Sequence, residues 1–279
     1  MNTRCQEPEN RRFGANRLSR THGWIEAENN TQIYVRAQGE GPPILAIGGI
    51  GSGAFTNARI AKLLAKRHKL ISYDRRGTFR SISDQPQKFD IAQQCRDVQR
   101  ILVAHGLTSV TVLATCSSAS IAMELLATYP DLVNAMVVHD PITVSALPNS
   151  EAEADKFIEY DRINLKRSAD DAMATFVADF DLPYPDDLRR AMQREGRQLF
   201  RELRPCVTYQ PDIKRLQQHR SRLVMATGQQ CSDRGYSFAR SAKALSEQIG
   251  CRFALVPGNH TGYFQEPNVF ADAIFDLTE

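Results

Sequence analysis

The chain has 279 residues, 42% of them hydrophobic and 24% charged, with a formal net charge of +3. That is the make-up of an ordinary globular protein with room for one large α/β domain and an insertion. The small positive charge, without a basic stripe, argues against a nucleic-acid partner, and no apolar run nears the roughly 18 residues that span a bilayer, so no membrane partner is expected.

Residues 1–20 hold several arginines, Glu7 and Glu9 but no apolar core. They read as a disordered arm on a cytoplasmic protein, not as a secretory leader. Trp24–Ala27 and Ile33–Ala37 alternate as early antiparallel strands. Ile44–Ile47 is a short continuous apolar run that suits a strand covered on both faces, and it ends in the glycine-rich turn Gly48-Gly49-Ile50-Gly51-Ser52-Gly53. A helix is expected over Thr56–Lys66, a strand over Leu70–Asp74 and a helix over Ile91–His105 that stops at Gly106. Val110–Ala122 reads as a buried strand, a tight turn of small residues and a helix starting at Ser117. Val133–His139 is the next strand. Alternating strands and helices of this kind predict a mostly parallel sheet wrapped by helices.

From Pro148 the pattern changes to polar amphipathic segments, Glu151–Ile163, Ala169–Phe180 and Asp187–Arg204, punctuated by prolines. Residues 148–219 are therefore expected to form a helical cap over the carboxyl edge of the sheet, where ligands bind in open α/β folds. The core is assigned to residues 21–147 and 220–279, the latter holding strands at Arg222–Ala226 and Arg252–Val256, a helix at Tyr236–Ile249 and a last helix ending near Leu277.

Cys5, Cys95, Cys116, Cys206, Cys231 and Cys251 are scattered, with no C-x-x-C pair or metal-ligand spacing, so neither disulfides nor a metal is expected. Only Cys116 stands out. It occupies the apex of the strand–turn–helix, the geometry that lifts a nucleophile clear of a sheet and close to a helix N-terminus.

Four landmarks in order resemble the α/β-hydrolase superfamily from about Gly23 to the end. They are the glycine turn at Gly48, the Asp74-Arg75-Arg76-Gly77 turn, the elbow at Cys116 and the loop Gly258-Asn259-His260. The resemblance implies an α/β-hydrolase fold with a mostly parallel eight-stranded sheet. In the family a proline usually follows the nucleophile by 14 residues, and Pro130 lies 14 residues after Cys116. Cys116 is therefore favoured over its neighbour Ser117 as nucleophile. Ala114 and Ser118 stand at the family's two glycine positions.

A thiolate nucleophile needs a partner. His260 is the candidate, following the elbow in the nucleophile–acid–histidine order of the family. The acid is open between Asp140, in His139-Asp140-Pro141, and Asp233; the family's frequent position three residues past Gly228 holds Cys231. Asp140 is favoured. The resemblance places oxyanion donors at the amides of Ile50 and Ser117. Gly49, His139, Phe157, Tyr160, Phe176 and Phe180 are expected at the substrate, although aromatics at helical spacing often belong to a core. Asp74 and Arg76 are read as braces of their turn. A phosphate-binding reading of Gly48-x-x-Gly51 is weakened because no G-K-[ST] follows. No cofactor is expected. The reading is an enzyme acting on an ester, lactone or thioester of a small apolar molecule. A non-hydrolytic relative, catalysing cyclisation, condensation, acyl transfer or carbon–carbon cleavage, is the alternative, as is an inactive ligand-binding protein.

Overall fold

The computed structural model describes residues 21–54 and 58–278. The proposed arm at 1–20, with Cys5, lies outside the described residues.

The described residues begin with the hairpin β1 (Thr21–Ala27) and β2 (Thr31–Gln38), whose turn uses Asn29 and Asn30 with positive φ. Then come β3 (Pro43–Ile47), α1 (Ala58–Leu64), β4 (Lys69–Tyr73), α2 (Ile91–Ala104), β5 (Val110–Thr115), α3 (Ala119–Thr128) and β6 (Val133–His139). The Asp90 carboxylate caps α2 by accepting from the Gln93 amide at 2.8 Å, and Gly106, with φ of +65°, lets the chain turn away after it. Between β6 and the next strand lie α4 (Ser150–Lys166), α5 (Ala169–Asp179), α6 (Asp186–Glu195), α7 (Leu203–Val207) and α8 (Ile213–Gln218). The chain closes with β7 (Leu223–Gly228), α9 (Gln229–Asp233), α10 (Ser237–Ile249), β8 (Arg252–Val256), α11 (Gly262–Gln265) and α12 (Pro267–Thr278).

Among the described residues eight strands form one sheet, in the order β1-β2-β4-β3-β5-β6-β7-β8. β1–β2 and β2–β4 are antiparallel and the remaining pairs parallel. Alternation along β3 explains its unbroken apolar run. Leu45 and Ile47 join the core on one face, beside α2 and α3, while Ile44 joins the core on the other, beside α1 and α12. The inserted helices build a third apolar cluster that takes in Cys116. Burying each large side chain there, Phe157 and Phe238 among them, contributes about 1.5–3 kcal/mol.

Three local expectations are corrected. The single helix expected over Asp187–Arg204 is broken at Gly196, which adopts φ of +64°; a 3₁₀ stretch over Gly196–Glu202 then leads into α7. Pro205 lies in the first turn of α7, where a missing N–H costs nothing, so it does not interrupt the helix. The elbow does not open an α-helix at Ser117, because a 3₁₀ turn over Cys116–Ser118 precedes α3. Among the described residues no helix is long and apolar enough to cross a membrane.

Candidate active site

Residues that follow the carboxyl ends of β3, β5, β6 and β8 line one small apolar cavity, whose other walls come from the inserted helices. Cys116, at the end of β5, lines it with φ of +61°, a left-handed conformation rare for a residue with a Cβ. Such a backbone costs on the order of 1–3 kcal/mol and persists only where its surroundings enforce it. Ser118 does so here. It accepts from the Thr115 amide at 2.9 Å and its hydroxyl reaches the Ile47 carbonyl at 2.5 Å, tying the elbow to β3. Gly49 closes over the sulfur. A Cβ at Gly49 would stand 2.6 Å from the Cys116 Cβ and 3.1 Å from its Sγ, so only glycine permits that approach.

His260 lines the same cavity from the loop after β8. Gly258, with φ of +90°, starts the turn, and the Asn259 side chain accepts from the Thr261 amide at 2.9 Å, so both neighbours of the histidine are anchored. Gly228 lets this loop pack closely, since a Cβ there would lie 2.8 Å from Asn259 backbone atoms. The imidazole packs against Phe238, with centroids 4.5 Å apart, and meets Phe176 edge-on at 5.9 Å.

Asp140 follows β6, fully buried and also at positive φ, +48°. Its Oδ2 lies 3.3 Å from His260 Nδ1, and Oδ1 accepts from the Thr227 hydroxyl and, at 3.3 Å, the Gly228 amide. Burial opposes the carboxylate, but His139, His260 and Thr227 outweigh it, holding Asp140 below the usual carboxylate range. For His260 burial opposes the charge, whereas the adjoining Cys116 sulfur and Asp140 push its pKa up to about 10.

The structure thus brings Cys116, His260 and Asp140 together and leaves the alternatives elsewhere. Asp233 is exposed at the end of α9, where its carboxylate accepts from Gln229 at 2.7 Å. The Ser117 hydroxyl is buried and donates to Glu202 Oε1 at 2.6 Å, so it is not presented as the nucleophile. Ile50, Phe157, Tyr160 and Phe176 line the cavity. Two expected substrate contacts are corrected. His139 is wholly buried behind Asp140, its Nε2 3.7 Å from Oδ2 and its ring edge-on to Phe270. Phe180 stands one layer back, packing on Phe176 and Phe238. Asp74 and Arg76 act as braces. Asp74 binds Arg80 and the Ala54 amide, and Arg76 forms a two-pronged pair with Asp97 at 2.7 and 2.5 Å.

Sequence reading missed Glu202, Arg75, Tyr263 and the part played by Cys231. The Cys231 thiol is buried beside the Asp140 carboxylate, and that burial, reinforced by the carboxylate, keeps it protonated. Its position three residues past Gly228 was the available signal. Tyr263 lines the cavity beside Cys116, and burial raises its pKa. Glu202 carried no local signal. Among the described residues no group of three or more His, Cys, Asp or Glu side chains could hold a metal ion.

Residues 42–243 match the family model of the alpha/beta hydrolase fold. The chain belongs to that family. It is 25% identical over 255 residues to the uncharacterized hydrolase YraK of Bacillus subtilis, covering 88% of this chain and 92% of the relative. A shorter match, 34% over 110 residues, covers 39% of this chain and 41% of the putative carbamate hydrolase RutD of Azorhizobium caulinodans. The fold is similar to that of an esterase from Exiguobacterium antarcticum, with a TM-score of 0.74, 17% identity, and coverage of 92% of this chain and 99% of the esterase.

Proposed function

We propose that the protein is an acyl hydrolase with a cysteine nucleophile, acting on an ester, lactone or thioester of a small apolar molecule. The observation that carries this is the elbow-borne Cys116, which shares an apolar cavity with His260, itself 3.3 Å from the buried Asp140 carboxylate. Family membership and the likeness to YraK support hydrolysis as the reaction class.

In this scheme an imidazolium at His260 partners the Cys116 thiolate. The sulfur attacks the carbonyl carbon, forming a C–S bond as the carbonyl electron pair moves to oxygen. The amides of Ile50 and Ser117 receive that oxyanion. When the intermediate collapses, the leaving group departs with the His260 proton, and a thioester remains on Cys116. Water, deprotonated by His260, then adds to the thioester carbonyl, and breaking the C–S bond returns the thiolate and the imidazolium. Asp140 holds the imidazole orientation throughout. The lining supports an uncharged substrate, because among the described residues it presents no ionisable group other than His260, Cys116 and two tyrosines.

Incubation with a p-nitrophenyl ester, followed by intact mass and iodoacetamide labelling, tests the reading. Turnover by the native protein, with none by Cys116→Ala, is the expected result. An acyl adduct on Cys116 without turnover would point to transfer onto an acceptor other than water. The absence of both adduct and alkylation at neutral pH would leave a ligand-binding protein.

A further inference from the structure

Glu202 is a buried carboxylate that the acyl-transfer scheme does not use, and it reaches two separate parts of the site. It lies at the end of the 3₁₀ stretch in the inserted helices. Its Oε1 accepts from the Ser117 hydroxyl at 2.6 Å, and its Oε2 pairs with Arg75 Nη2 at 2.5 Å. Arg75, the variable residue of the Asp-x-Arg-Gly turn, reaches on to the glycine loop. It donates from Nη1 to the Gly48 carbonyl and from Nη2 to the Gly49 carbonyl at 3.3 Å. The Ser52 amide holds that same Gly49 carbonyl at 3.0 Å.

The Gly49 carbonyl and the Ile50 N–H belong to one peptide unit. In a planar trans peptide these groups point in opposite directions, so fixing the carbonyl fixes the N–H. Arg75 therefore sets the direction of the Ile50 amide, and Glu202 sets Arg75. The other oxygen of Glu202 restrains Ser117, whose amide is the second donor. We propose that Glu202 is a positioning residue that aligns both oxyanion donors at once and makes the inserted helices part of the catalytic geometry. Arg75 and Glu202 expose only 4% and 3% of their side chains. A buried ion pair adds little net stability over an apolar replacement, but its directionality suits it to holding two donors in place.

This role rests on the proposed acyl-transfer chemistry, and the experiment separates the two. Alkylation of Cys116 by iodoacetamide needs the thiolate but develops no oxyanion; acylation by p-nitrophenyl acetate needs both. In Glu202→Gln the acylation rate and kcat are expected to fall roughly tenfold or more with little change in KM, while the alkylation rate stays at the native value. Equal loss of both rates, or of neither, overturns the positioning role. Should Glu202→Gln not fold, as judged by circular dichroism, Ser117→Ala carries the same test, with a smaller fall in acylation and alkylation unchanged. If the native protein is neither acylated nor alkylated, the functional reading fails and takes this role with it.

Discussion

Around Cys116 the polar groups of the cavity wall are tied down: Ser118 to Thr115 and Ile47, Ser117 to Glu202, and Glu202 to the arginine that grips Gly48 and Gly49. The opposite wall is slacker. Asp140 Oδ1 is held by Thr227 and Gly228, but its Oδ2 meets His260 Nδ1 at 3.3 Å, a longer contact than those that hold Ser117 and Ser118. The contrast matches the work proposed for each side. A sulfur at strained φ and two oxyanion donors must stay still, because their benefit comes from preorganisation. An imidazole that gives and takes a proton must suit two charge states, and a saturated network would favour only one.

The largest expected effect lies on the slacker wall. Asp140→Asn should lower kcat on an aryl ester by on the order of 10³-fold, since a neutral amide neither selects the tautomer nor supports the imidazolium. Asp233→Asn should leave it unchanged. Comparable losses in the two variants, measured by steady-state kinetics, would break the assignment of the acid. A smaller effect is expected on the tied wall. Gly49→Ala forces a Cβ against Cys116 and should lower stability by about 1–3 kcal/mol in urea unfolding, with loss of acylation. An active, fully stable alanine variant would show that the glycine loop can retreat.

The smallest effect concerns pH. His260 has a folded pKa raised from about 6.5 to about 10, against burial, by Cys116 and Asp140. Its protonation therefore favours the folded state most fully below pH 6.5, and that contribution fades as pH climbs towards 10. The difference in Tm between the native protein and His260→Gln should shrink over that interval. A difference that grew with pH would mean that the histidine is held neutral.

Much of the fold was legible because its signals are local. The apolar runs of β3 and β6, Asp90 ahead of α2 and Gly106 behind it each state their conformation within a few residues. The elbow was legible for the same reason: small residues on both sides of Cys116 mark a turn that brooks no bulk. The break at Gly196 was missed because amphipathic periodicity continues across it, and one glycine within such a pattern is a weak stop signal.

By itself, the sequence determined the order of the strands and of the long helices of the core, the elbow with its cysteine and the histidine loop, since periodicity and turn chemistry operate over a few neighbouring positions. Only the tertiary structure decided that Asp140 rather than Asp233 stands beside His260, that Ser117 faces a buried carboxylate, and that His139 lies behind the acid. It alone paired Arg75 with Glu202, 127 residues apart in the chain. Such pairings depend on how the inserted helices seat on the sheet, and that packing leaves no imprint on the local pattern of either partner.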